Sequence, residues 1–232
     1  MVEFFSEDRA TVRRLVKLLS TSHSEATRLW GKLERPVRVR VFPSHQSLEE
    51  AIDQKYDWLL AWAMFDQLYI QAPRTWDPRK LGGLPKLLTH ELTHVLMFQR
   101  CCDANNWLKR PIPFWFREGM ASVTATQESW RLRRKELAEF LETELGKQLY
   151  QNPEKFLKSF QRQSYSLSHW MFVELLNQCS ERRVRSYQRV ESLLKGMKQG
   201  YPFSRAMELA CGFTLTQFHA RFLSSMKGLT AN

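Results

Sequence analysis

His90-Glu91-Leu92-Thr93-His94 combines two imidazoles and a carboxylate within an apolar stretch of helical periodicity. Residues four apart lie one turn apart on one face of an α-helix, so both rings can reach a single metal ion. Glu91, between them, is a carboxylate able to act as general base on a metal-bound water. A catalytic zinc ion takes three protein ligands and keeps its fourth position open, so the two histidines need a partner. The expected third ligand is Glu118, in Pro113-Phe114-Trp115-Phe116-Arg117-Glu118-Gly119-Met120-Ala121, 24 residues after His94. A loop from Cys101 to Pro113 gives the chain room to turn and return as a second helix. The small Gly119 and Ala121 permit close helix–helix approach. The next histidine after His94 is His169 and no HxxGxxH continuation follows, so a third histidine is poorly spaced for the role.

The elements that must position these residues are legible in outline. Residues 2–5 read as a short strand, and 6–33 as helical, with Val12, Leu15, Val16, Leu18 and Leu19 as the apolar stripe. The capping-box spacing of Ser22 and Glu25 predicts a second helix starting there. Val37–Val41 alternates strictly, as a half-buried strand does. Ser47 and Glu50 repeat the capping spacing at a short helix ending near Lys55. Residues 58–72 hold a further strand centred on Leu68–Ile70, and 73–83 read as a loop. The motif helix is expected from about Leu84 to Arg100. Beyond Phe114 the pattern is helical, in segments 116–145, 153–161, 165–178, 186–198, 203–210 and 214–227, the last opened by a Thr214–Gln217 capping box. The fold class is therefore α+β, with a small N-terminal sheet plus helices, a central metal helix and an all-helical C-terminal half. The expected division is 1–112 and 113–232, together one catalytic unit with its cleft between the halves.

Composition sets broader limits. The 232 residues suffice for one large domain or two small ones. Lys+Arg exceed Asp+Glu, 35 to 24, for a net charge of +11. Such an excess suits an anionic partner or simply a solvated basic surface. The four cysteines, Cys101, Cys102, Cys179 and Cys211, include no CxxC pair and read as ordinary thiols, favouring a reducing, cytoplasmic setting. A mature secreted form remains open if a leader was removed. No apolar run approaches the ~20 residues of a membrane span.

The HELTH and WFREGMA segments together resemble the gluzincin zinc metallopeptidases, more narrowly the bacterial peptidase MA-like domains, whose pattern is HExxH followed by a Trp-x-x-Glu-Gly-x-Ala segment. Val37–Ser44, Trp58–Ala72, Tyr165–Leu176 and Leu193–Met226 resemble other family segments in the expected order. The resemblance implies a zincin-like fold in which His90, His94 and Glu118 hold zinc (Zn2+). Glu91 would then take a proton from the zinc-bound water and pass it to the leaving amine of a peptide or protein substrate. It also implies that Tyr165 donates to the oxyanion, with His169 as the alternative donor. The strand around Leu68–Ile70 would be the edge on which an extended substrate lies. Two departures stand out. Ser122 occupies the position, four after Glu118, where several gluzincins carry an acidic residue bracing a zinc histidine. Trp62–Asp66 resembles an exopeptidase signature only near Met64, so aminopeptidase activity is not supported.

Blander readings accompany each of these. Tyr165 and His169 are also what ordinary packing would supply. Trp107, Trp115, Trp130 and Trp170 read as core and cleft walls. Arg131, Arg133, Arg134 and Lys135 read as a solvated helix face rather than a nucleic-acid groove. The competing functions are a basic polyanion- or nucleic-acid-associated protein, and a zinc-bound interaction module without peptidase activity. Oligomeric state is left open.

Overall fold

The strict alternation near residue 38 becomes strand β2 (Arg38–Phe42), with Val39 and Val41 buried and Arg38 and Arg40 exposed. A computed structural model describes residues 1–109, 111–179 and 183–230; Arg110, within the expected 101–113 loop, lies outside the described residues. The chain forms two compact units, Met1–Trp107 and Leu108–Asn232. The whole is of mixed α+β class, with the strands in the first unit and most of the helices in the second.

In the first unit, β1 (Val2–Glu3), β2, β3 (Ala61–Ala63) and β4 (Gln67–Gln71) form one sheet in the order β1-β2-β4-β3. The first three in that order run parallel, and β3 runs antiparallel to β4. This corrects the expectation that Leu68–Ile70 is a substrate-binding edge. Both flanks of β4 are already hydrogen-bonded, and the strand beyond it is β3. Sequence alone hides this because Ala61–Ala63 is too short to advertise itself as a strand.

Three helices accompany the sheet: α1 (Arg9–Trp30), α2 (His45–Ile52) and α3 (Leu84–Cys101). No second helix begins at Ser22, because its side chain and that of Glu25 serve the packing of α1 on α3 rather than a cap. Ser22 Oγ donates to the Pro85 carbonyl at 3.2 Å, and Glu25 Oε2 accepts from Thr89 Oγ1 at 2.8 Å. Likewise α2 starts earlier than expected, because Ser44 is the N-cap and Ser47, not Glu50, completes its reciprocal box at 3.1 Å. Leu15, Val41, Leu68, Ile70, Leu88 and Leu92 make a shared core between helices and sheet.

The second unit is helical: α4 (Phe114–Thr124), α5 (Arg134–Glu142), α6 (Glu144–Gln151), α7 (Gln161–Gln178), α8 (Arg183–Lys198), α9 (Phe203–Cys211) and α10 (Leu215–Thr230). The expected continuous run 116–145 is thus three helices. One break follows the positive φ of Thr126, at 48°. Another is at Thr143, whose Oγ1 caps Gly146 N at 3.0 Å. The Thr214–Gln217 box forms as read, with Gln217 N donating to Thr214 Oγ1 at 3.2 Å and Thr214 N to Gln217 Oε1 at 2.9 Å.

Helix α4 is anchored by aromatic packing. Trp115 stacks on Phe218 with centroids 5.0 Å apart, and Phe116 meets Phe172 and Phe203 edge-on. Trp130, by contrast, is exposed rather than a core wall. Two further expectations fail in this unit. Arg131 is buried, and Arg134 pairs with Glu174 at 2.5 Å, so the 131–135 stretch is not a uniformly solvated face. Cys179 and Cys211 are joined by a disulfide, which leaves Cys101 and Cys102 as the cysteines outside a disulfide bond. The folded chain juxtaposes two cysteines 32 residues apart, which spacing along the sequence could not announce. Among the described residues, no helix is long and apolar enough to cross a membrane.

Candidate metal centre

Helix α3 carries His90, Glu91 and His94, and both of its ends are tied into the first unit. Near its start are the contacts to Ser22 and Glu25 already described. Near its end, fully buried Gln99 accepts from the backbone N–H groups of Glu34 and Arg35 at 2.8 and 3.0 Å. Its amide donates to the carbonyls of Arg35 and Phe65 at 3.3 and 3.2 Å. Backbone groups shielded from water need partners, and one side chain here serves four of them, one buried and three partly so. Arg100 adds a 2.7 Å bond to the Lys32 carbonyl. The helix is therefore fixed in rotation as well as position, which a ligand-bearing helix requires.

On that helix the His90 and His94 Nε2 atoms lie 3.1 Å apart, with ring planes at 83°. His90, Glu91, His94 and Glu118 are each 7% exposed, burial that is costly for polar groups without strong partners. One ligand atom from each of His90, His94 and Glu118 lies within 4.8 Å of the other two. A mutual hydrogen bond would explain the imidazole pair by itself. It would not explain the carboxylate drawn to the same point. Ligand atoms at zinc-like bond lengths in tetrahedral geometry sit roughly 3.4 Å from one another. The imidazole pair is close to that spacing. Two nitrogen donors and one oxygen donor thus suit a divalent metal ion.

Glu118 is positioned by α4. Its Oε1 accepts from Arg117 Nε at 3.1 Å, and Arg117 also reaches Glu154 at 3.4 Å. Gly119, next in the chain, abuts α7: a Cβ there would lie 2.3 Å from the Ser168 carbonyl oxygen and 2.5 Å from Phe172 Cβ. The smallness noted in the sequence therefore serves the packing of α4 on α7.

Ser122, one turn beyond Glu118, has a role that its departure from the family pattern did not suggest. Its Oγ accepts from Arg131 Nε and Nη2 at 3.2 and 2.9 Å and lies 2.9 Å from His169 Nδ1. Burial, reinforced by the Arg131 charge, holds the His169 imidazole down at about 4, so it is neutral near pH 7. Burial also lowers Arg131 to about 10, against the attraction of Tyr165 and Glu118, and leaves it a cation. Tyr165 is half-buried on α7, with its ring 6.0 Å from Phe114 and 5.9 Å from Trp130. The Arg131 guanidinium lies 5.3 Å from that ring. Gln99 and Arg131 were missed in the sequence. Nothing in their spacing marks them: Gln99 acts through partners 34 to 65 residues away, and Arg131 is set apart from its neighbouring arginines by burial alone. Compared with protein-family models, curated proteins and solved structures, the chain matches none.

Proposed function

We propose that this protein is a zinc-dependent peptidase of gluzincin type. The observation that carries the reading is the buried His90–His94–Glu118 donor set with Glu91 on the same helix as the two histidines. Two imidazoles and one carboxylate are a ligand set typical of catalytic zinc, which leaves a position open for substrate or water. Bound there, zinc would polarise a scissile carbonyl and make a water molecule acidic enough to attack near neutral pH.

The remaining work falls to side chains. Glu91 accepts the proton of the attacking water and returns it to the departing amine. Tyr165 donates to the carbonyl oxygen as negative charge develops on it. The antiparallel strand β3 packs alongside α3, which favours it over β4 as the edge to which an extended peptide adds.

Metal analysis combined with peptide hydrolysis tests the proposal. The purified, zinc-reconstituted protein should hold about one zinc per chain and cleave peptides. Glu118→Ala should lose the metal. Glu91→Gln should keep it while hydrolysis falls on the order of 10²–10⁴-fold. Undiminished cleavage by Glu91→Gln, or failure of the wild-type chain to bind zinc, defeats the reading.

A further inference from the structure

Arg131 is a buried cation, 5% exposed, held only by neutral groups. Its Nε and Nη2 donate to Ser122 Oγ, Nη2 also donates to Gln127 Oε1 at 3.1 Å, and its carbon CZ lies over the rings of Trp130 and Tyr165 at 4.7 and 5.3 Å. Among the described residues it forms no ion pair, and its buried Nη1 has no hydrogen-bond partner. Glu118 attracts it electrostatically without reaching ion-pair distance. An unpaired guanidinium this deep is costly unless an anion joins it.

The proton inventory around Ser122 identifies a second idle donor. A hydroxyl has one proton to give. Because Ser122 Oγ accepts from Arg131, its own proton points to His169 Nδ1. The neutral imidazole then carries its hydrogen on Nε2, which is buried and has no partner among the described residues. Arg131 Nη1 and His169 Nε2 are thus two unsatisfied N–H donors, one of them cationic, organised by the same hydroxyl. That hydroxyl stands four residues, about 6 Å of helix, from Glu118.

We infer that Arg131, with Ser122 and His169, forms a carboxylate-binding subsite beside the metal centre, which makes the enzyme selective for peptides presenting a carboxylate next to the scissile bond. A carboxylate supplies two acceptor oxygens and the missing negative charge, and guanidinium–carboxylate pairs are among the strongest hydrogen-bonded ion pairs. The selectivity for peptides rests on the peptidase reading; the binding of a carboxylate does not.

The test uses zinc-loaded Glu91→Gln, so that ligands bind without turnover. Calorimetry would compare N-acetylated alanyl-phenylalanine with a free C-terminal carboxylate, its C-terminal amide, and an amide bearing an aspartyl side chain. The free acid should bind at least about 10-fold tighter than the plain amide. Whether the aspartyl amide shares that advantage separates recognition of a side chain from recognition of the chain terminus. Adding Arg131→Gln should abolish the difference, Arg131→Lys should retain part of it, and His169→Gln should weaken it with zinc content unchanged. Should Arg131→Gln fail to fold, the Arg131→Lys and His169→Gln variants still decide the matter. Equal binding of acid and plain amide, no binding of the acid up to about 10 mM, or an acid preference that survives all these substitutions overturns the inference. If wild type hydrolyses nothing while the Arg131-dependent preference stands, only the peptidase reading falls.

Discussion

Ser122 shows how much one hydroxyl can organise. A carboxylate in its place would neutralise Arg131 but, when ionised, could not donate to His169 Nδ1. Serine leaves the guanidinium charge uncompensated and holds the imidazole in one tautomer. His169 yields a prediction with a definite sign. Its folded-state value of about 4 lies below the 6.5 of an unfolded histidine, chiefly through burial and secondarily through Arg131. Between those values the unfolded chain binds a proton that the folded chain refuses, so stability falls as pH drops from 6.5 towards 4. The loss attributable to this residue should be on the order of 2–3 kcal/mol. Denaturant unfolding of wild type and His169→Gln at neutral and acidic pH checks it, and an equally steep pH dependence in the variant would refute it. At this scale the sequence pointed to His90, His94 and Glu118, which the fold brings together, because residue type and spacing carried that signal. It left Arg131 among solvated arginines, because burial is not a local property.

Helix α4 owes its position to α7 as much as to its own propensity. Gly119 lets the backbone of α4 approach Ser168 and Phe172 closer than any side chain permits. Gly119→Ala would drive a Cβ against a carbonyl oxygen of a packed helix, and neither backbone can yield without cost. The expected loss is about 1–3 kcal/mol, accompanied by weaker zinc binding because Glu118 adjoins the displaced segment. Unfolding midpoints and zinc titrations of the variant measure both effects; unchanged values for both would contradict the packing argument. Element types were largely readable from periodicity: α3 runs Leu84–Cys101 against the expected 84–100. Element ends were less so. Ser22 and Glu25 have the spacing of a cap, yet they bond to Pro85 and Thr89 in another helix. A capping signal reports what side chains could do locally, and tertiary packing offered these two a better use.

Across the whole chain, the cysteine pattern and the net charge are the properties the fold most reinterprets. The Cys179–Cys211 bond removes the thiol count as an argument for a reducing compartment. Closing a loop from a separation of 32 residues should stabilise the folded chain by about 3–4 kcal/mol through the unfolded ensemble. Alkylation of the unfolded, unreduced protein should label Cys101 and Cys102 alone, and the Cys179→Ser/Cys211→Ser variant should unfold at correspondingly lower denaturant. Labelling of all four without reductant would exclude the bond. The net charge of +11 is not a uniform outer coat, since part of it, at Arg131, is internal. What the sequence by itself determined is the pair of imidazoles on one helix face with a carboxylate between them. Helix geometry alone converts a four-residue spacing into ring nitrogens 3.1 Å apart. Only the tertiary structure decided that β4 is internal and β3 the edge, that Cys179 meets Cys211, and that Ser122 joins Arg131 to His169. Those outcomes depend on which distant segments share a core, and no local pattern encodes that.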